Sequence, residues 1–334
     1  MFRNLTKVKS VAAGAVAVAA FAALTPASAL EKPKGFPQRP ITMIVPYGAG
    51  GGSDQLSRAM AKSINEISGV HFQVVNKPGG GGTAAIPDFM ISPPDGYTVM
   101  EHIDNAVSAF AKGDIRENPA TDWVPICTAQ ITFSQLYIRP DETRFKDWPT
   151  FLAYAKANPG KVTVANVGKV GSMEVINMRK LENALGFKSK TISFDKPSDR
   201  YSSLIGGHVD VLFEQPGDVS GFLANKTMKP ILTFFDSRPA DFADVPTHKD
   251  AGADFEPLLR FRGFYVKKGV PEDRVKYLSA ACKEGFNTAS FQAFNKKKFM
   301  HLIDSFRDSA GSVELIKGAV DTYKAVYKAT GITK

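Results

Sequence analysis

The chain has 334 residues, 42 of them Lys or Arg and 33 Asp or Glu, for a net charge of +9. That length exceeds what one hydrophobic core usually organises, so two lobes are expected. The basic residues are dispersed rather than gathered on one face, which argues against a nucleic-acid partner, and the two cysteines have no neighbour at metal-ligand spacing.

Residues 1–29 read as an export signal. Arg3, Lys7 and Lys9 precede the 14-residue apolar run VAAGAVAVAAFAAL, and Ala27-Ser28-Ala29 supplies a small-residue cleavage site. The run falls short of the ~20 residues needed to cross a bilayer. The expected mature protein therefore begins at Leu30, outside the cytoplasm. Removing the three basic residues and no acidic one lowers the net charge from +9 to +6.

The first expected strand is ITMIVPY. A helix follows, with Leu56, Met60, Ile64 and Ile67 at spacings of four, four and three. Between them lies VPYGAGGGSD, whose glycines open the turn from strand to helix. HFQVVN is a second strand, KPGGGGTAAIPDFM repeats glycines before a helix, and Pro93-Pro94-Asp95-Gly96 turns into the strand YTVM. A like-built block starts near Gln135: LYIRP, a helix around TFLAYAKANPG, the strand VTVANVG, a helix from Ser172 to Leu185, TISF, a helix near SSLIGG, then VDVLFEQP. Its glycines, Gly168 and Gly171, again stand between strand and helix. ILTFFDS and FRGFYVKKG are further strands, and Val313, Ile316, Val320, Tyr323 and Val326 mark a C-terminal helix. Strands alternating with helices give a mostly parallel sheet with the glycine loops at one edge, and no flexible linker parts the blocks, so strands are expected to cross between lobes. Asn295-Lys296-Lys297-Lys298 reads as a solvated helix face.

Enzyme motifs are missing. Gly48-Ala49-Gly50 follows a strand, yet the second strand ends in Asn76-Lys77 rather than the acid that holds a ribose, which counts against a dinucleotide site. No Walker lysine, Gly-x-Ser-x-Gly elbow or paired metal-ligand histidines occur, so no catalytic residue, cofactor or metal is expected. Cys127 follows Val124 and Ile126 in a strand-like run, and Cys282 shares a stripe with Val275, Leu278 and Phe286. Both settings suit buried thiols, although export permits a disulfide. What remains is a set of main-chain donors at glycine turns, helped by the hydroxyls of Ser53, Thr83 and Ser172. Such a set suits a small carboxylate without a buried Arg or Lys.

Several stretches together resemble the solute-binding proteins of tripartite tricarboxylate transporters, the Bug family: PITMIVP followed by AGGGSD (40–54), VNKPG with Gly81-Gly82, PDGYT (94–98), AKANPGK (155–161), Gly168 with Gly171-Ser172, GGHVD (206–210) and DVPT (244–247). The resemblance implies a type II periplasmic-binding-protein fold, two α/β lobes joined by crossing strands with a ligand cleft between them. The expected division is 30–131 plus 262–334 against 132–261. It implies a periplasmic, monomeric protein that captures a small organic acid and delivers it to the membrane components of such a transporter. Ligand presentation to a membrane-bound sensor is the alternative. The loop from Tyr47 through Ala49, Gly50, Gly51, Gly52 and Ser53 to Asp54, and the loop from Asn166 through Gly168 and Gly171 to Ser172, would hold the acid from opposite lobes. Asp54 is expected to complement its helix rather than touch an anion. The chain departs from the family pattern in three places: Val175-Ile176 stand where His-Leu is usual, Phe194-Asp195-Lys196 where Tyr-Lys-Gly is usual, and Glu101-His102-Ile103-Asp104 where a loop of small polar residues is usual. These make His102, Asp104 and Asp195 further candidates. Either aspartate, if it faces the cleft, would repel a second carboxylate; a salt-bridged role is the other reading.

Overall fold

The computed structural model describes residues 30–331, so the expected export signal and cleavage site lie outside the described residues. The chain begins with β1 (Ile41–Val45), α1 (Gly52–Ser68) and β2 (Phe72–Asn76). A 3-10 turn, Gly80–Ala85, leads into α2 (Ile86–Ile91), then β3 (Thr98–Ile103), α3 (Asp104–Lys112) and β4 (Trp123–Thr132). The second block is β5 (Ser134–Ile138), α4 (Trp148–Ala157), β6 (Val162–Asn166), α5 (Met173–Leu185), β7 (Ser189–Ser193), α6 (Pro197–Ile205), β8 (Val211–Glu214), α7 (Ser220–Ala224) and β9 (Lys229–Phe234). β10 (Arg260–Lys267), α8 (Glu272–Asn287), α9 (Ala289–Lys297) and α10 (Ser309–Thr330) follow.

Local chemistry accounts for most of these elements. Leu56, Met60 and Ile64 put one face of α1 into the core, each burial contributing about 1.5–3 kcal/mol, and Gly69 ends the helix in the left-handed conformation. Asp147 and Thr150 form a reciprocal capping box at α4, with Pro149 in its first turn.

Two five-stranded sheets result, ordered β2-β1-β3-β10-β4 and β7-β6-β8-β5-β9. Each is mixed, against the expectation of mostly parallel pairing. β1 is parallel to β2 and β3, but β10 runs antiparallel to β3 and β4; β5 is antiparallel to β8 and β9. The reason lies in chain path: after building the second sheet the chain returns from the opposite side and inserts β10 between β3 and β4. A single fully buried residue, Phe133, separates β4 from β5, so extended backbone passes straight from one sheet to the other.

Two further expectations are corrected. Glu101, His102 and Ile103 are not a loop but the end of β3, and Asp104 opens α3, all within 3% of full burial. Cys127 and Cys282 are not thiols: they form a disulfide joining β4 to α8. No described helix is long and apolar enough to cross a membrane.

Candidate ligand-binding cleft

The glycines of 48–52 serve the approach of the two lobes more than the exposure of donors. A side chain at Gly51 would lie 3.1 Å from Pro197 of α6, and one at Gly52 would overlap the Asp218 carboxylate and the Arg262 guanidinium. The Gly50 N–H is already committed, donating to Asp54 at 2.9 Å, while Arg58 and Asn76 hold the other Asp54 oxygen. Burial alone would raise the Asp54 pKa, but these hydrogen bonds outweigh it and hold the carboxyl below its ordinary value. Asp54 thus ties the turn to its helix, as the sequence suggests. α1 starts at Gly52 with Gly51 at the cap position, so Ser53 lies inside the helix and caps nothing.

The second glycine turn is held from behind. Gly81 and Gly82 take φ of 68° and 101°, and a side chain at Gly82 would collide with Tyr47 and His102. The Tyr47 hydroxyl and the Asn105 amide both donate to the Gly81 carbonyl at 3.3 Å. His102 Nε2 donates to the Gly82 carbonyl at 3.3 Å while its Nδ1 accepts from the Ile103 N–H at 2.9 Å. Burial lowers the His102 pKa to about 4, so the ring is neutral and acts as a brace for the turn. From the other lobe, Asp195 accepts from the Gly81 N–H at 3.0 Å.

The third turn belongs to the second lobe. Asn166 is buried and accepts from Ser193, pinning β6 to β7, and the Gly168 carbonyl also accepts from Ser193. Gly171, at φ 96°, passes so close to Tyr327 of α10 that a side chain there would sit 3.1 Å from the phenol oxygen; that hydroxyl donates to the Gly171 carbonyl at 2.7 Å. Ser172 stands at the N-cap of α5 without capping it, and its buried Oγ has no partner among the described residues.

Between these turns the cleft has two parts. The inner part is a seam of buried ions with only about 20 Å³ of free space, bordered by Tyr47, Gly51, Gly52, Ser53 and Asp195. Arg260 bonds Asp104 and Glu174, Arg262 bonds Asp218, Gln130 and Gln215, and Arg200 bonds Glu214. Two of these pairs, Arg260 with Glu174 and Arg262 with Asp218, join β10 of the first sheet to the second block. The expectation of a cleft without buried arginine is therefore corrected. Its trace in the sequence is Arg260-Phe261-Arg262, two charges at alternate positions of an otherwise apolar strand.

Glu101 adds a fifth carboxylate, beside Arg262 and the Ser53 hydroxyl. Burial pushes its pKa up to about 8, against the pull of Arg262. An acid with a raised native pKa stabilises the fold fully below its unfolded value near 4.5 and loses that contribution as pH rises toward 8. Glu101→Gln should remove this dependence, at about 1.4 kcal/mol per unit of pKa difference. Urea unfolding at pH 5 and pH 9 measures it: the variant should gain on the native protein by several kcal/mol between the two, and equal pH slopes would refute the assignment. With Glu101 neutral at pH 7, four carboxylates face three guanidiniums, so the seam has no charge to offer a further anion.

The outer part is a chamber of about 350 Å³, lined by Gly80, Gly81, Thr83, Asn105, Ser108, Lys112 and Asp114 from one side and Lys169, Val170 and Ser172 from the other, with Tyr327 at its edge. Its size suits a small organic molecule. The Lys169 ammonium reaches across from the second lobe, 3.6 Å from where a side chain at Gly80 would begin. The main-chain N–H groups of Lys169, Val170 and Gly171 donate to no acceptor among the described residues. Of the residues expected from sequence, Ser172 lines this chamber; Ala49 and Gly50 border a separate groove at the opposite mouth. Asp54, His102, Asp104, Asn166, Gly168 and Gly171 line neither part of the cleft and hold its walls. Lys112, the last residue of α3, and Lys169 in its loop were not anticipated, since a lone lysine carries no local signal.

A chamber of this kind, bounded by glycine turns from two α/β lobes and free of catalytic groupings, is the layout of a receptor for a small solute. Residues 56–332 match the family described as tripartite tricarboxylate transporter family receptor. The chain belongs to this family. It is 27% identical over 322 residues to a protein encoded in the gbd 5' region of Cupriavidus necator, covering 96% of this chain and 97% of that one. The periplasmic binding protein BugD matches with a TM-score of 0.79 at 24% identity, over 90% of this chain and 100% of BugD. MatC from Rhodopseudomonas palustris, solved with bound malate, matches with a TM-score of 0.77 at 22% identity, over 87% of this chain and 99% of MatC. The receptor is accordingly a solute-binding protein of the two-lobed periplasmic type and not an enzyme.

Proposed function

We propose that this receptor captures a small organic acid in the outer chamber of its cleft, in the periplasm and as a monomer, and hands it to the membrane components of a tripartite tricarboxylate transporter. The observation that carries the reading is the chamber itself, about 350 Å³ between the glycine turn of Gly80, Gly81 and Thr83 on one lobe and Lys169, Val170 and Ser172 on the other, with the Lys169 ammonium reaching across to Gly80. Charge-assisted hydrogen bonds to a carboxylate contribute about 1.5–3 kcal/mol each. The malate in MatC supports the ligand class. A ligand touching both walls favours the state in which the lobes are in contact, which is how such a receptor would signal that it is loaded.

A thermal-shift screen of small carboxylates against the mature chain tests this. A specific ligand at a hundred times its dissociation constant should add about 2.7 kcal/mol of stability. Lys169→Met should weaken that ligand about 10- to 100-fold, equivalent to about 1.4–2.8 kcal/mol. An acid that binds equally well to the variant would place the site elsewhere.

A further inference from the structure

The sequence scatters its basic residues, but folding gathers several of them on one side of the second lobe. Residues 156–190 carry seven Lys or Arg and two acids. Both acids are engaged: Glu174 is buried against Arg260, and Glu182 accepts from the N–H and the hydroxyl of Ser189. Between the end of α4, α5 and the start of β7 lies an open groove of about 670 Å³, lined by Lys156, Arg179, Lys188, Glu182 and Phe187 among others. Lys156, Arg179 and Lys188 are exposed, and none forms an ion pair with a described residue. Three cations against one engaged acid leave a positive charge that the receptor itself does not neutralise. The groove reaches β7, the edge strand of its sheet, which pairs only with β6. Phe194 donates to Asn166 of β6 and Lys188 accepts from Gly160, so in the alternation of an extended chain Thr191 and Ser193 turn their N–H and C=O groups outward. Lys190, Thr191, Ile192 and Ser193 are all exposed. Lysines at 188 and 190 repel a second copy of this strand, which keeps the edge from pairing with itself. A strand of opposite charge meets no such barrier.

We infer that β7 and the neighbouring groove dock an acidic, extended segment of a partner protein, which adds to the five-stranded second sheet as a further strand with its carboxylates facing Lys156, Arg179, Lys188 and Lys190. Main-chain bonds to Thr191 and Ser193 supply the hold, and the cations supply the choice of charge. A concave groove beside a strand edge fits a polypeptide better than it fits a flat lipid surface. β7 runs on to Asp195, whose carboxylate accepts from the Gly81 N–H of the first lobe, so a partner seated here lies against a segment that reaches across the cleft. The inference goes beyond solute capture and does not depend on which solute the chamber takes.

Fluorescence anisotropy of the mature chain with a labelled peptide of alternating Glu and Val, about eight residues long, tests it. The peptide should bind, more weakly as salt rises, and should slow amide hydrogen exchange at Thr191 and Ser193. A peptide of the same charge with Pro in place of Val cannot join a ladder and should bind at least about 10-fold more weakly. Arg179→Glu/Lys188→Glu should weaken the Glu-Val peptide by about 10-fold or more, since it turns two attractions into repulsions. No binding, equal affinity of the proline peptide, a charge-reversed variant that binds as well as the native protein, or unchanged exchange at Thr191 and Ser193 would each overturn the inference. Displacement of the peptide at constant ionic strength by inorganic phosphate would overturn it in favour of a small-anion site, and displacement by phosphatidylglycerol vesicles in favour of a membrane-facing patch. The native protein with the two peptides decides the matter if the variant does not fold.

Discussion

Arg260→Met is expected to destabilise the protein by about 3–5 kcal/mol, the cost of leaving buried charge without its partner. Arg260 is fully buried, and its guanidinium is the shared counter-ion of Asp104, at 2.5 Å, and Glu174, both with side chains 1% exposed. Asp104 keeps a second bond from the Tyr323 hydroxyl at 2.9 Å, but a phenol supplies no charge. Burial already raises the Asp104 pKa and the guanidinium opposes that rise; without it the carboxyl would bind a proton at higher pH still. The variant's deficit should therefore be larger at pH 8 than at pH 5, because protonating the stranded Asp104 relieves it. Arg260→Met/Asp104→Asn/Glu174→Gln should recover most of the loss, since an uncharged seam of similar volume can be as stable as a paired one. Equilibrium urea unfolding of the three proteins measures both effects. A loss under about 1 kcal/mol, or a triple variant no better than the single one, would show that the pair is not the keystone of the seam.

Sequence reading reached the elements and the place of the cleft because those depend on local chemistry. The 3.6-residue spacing of Leu56, Met60 and Ile64, the apolar strands and the glycines at strand-to-helix turns are each written within a few residues. It failed where the answer depends on what a residue meets from far along the chain. Gly52 looks like a donor turn until Asp218 and Arg262 arrive beside it, 166 and 210 positions later. Ser172 and Ser53 look alike in sequence, each following glycine at the start of a helix. One is buried without a partner among the described residues; the other lies beside a buried acid. The direction of β10 could not be read, because pairing sense follows chain path and not composition. The alternation of Arg260 and Arg262 in an apolar strand was the readable signal for the ion seam: a buried charge needs an opposite one, and the opposite charges stand at Asp104, Glu174 and Asp218.

Removing the disulfide should have the other large effect, about 5 kcal/mol for a closed loop of 155 residues if the constraint acts mainly on the unfolded chain. The position of the bridge matters as much as its span. Cys127 lies on β4, six residues before the chain crosses at Phe133, and Cys282 lies on α8, after β10 has returned to the first sheet. The closed loop therefore contains the whole second sheet, which hangs from the first by a covalent clasp at its base. Both sulfurs sit among Met60, Phe264 and Leu278 at 1–2% exposure, so a reductant reaches them only when that cluster opens. Cys127→Ala/Cys282→Ala should unfold at a markedly lower urea midpoint than the native protein and show no dependence on reductant. The native protein should unfold at the variant's midpoint once reductant is present in the unfolding buffer, and should keep its higher midpoint without it. Two titratable thiols in the folded native chain, or a variant within about 1 kcal/mol of it, would refute the clasp. The binding proteins of this family are periplasmic, and the periplasm is an oxidising compartment in which such a bond forms and persists.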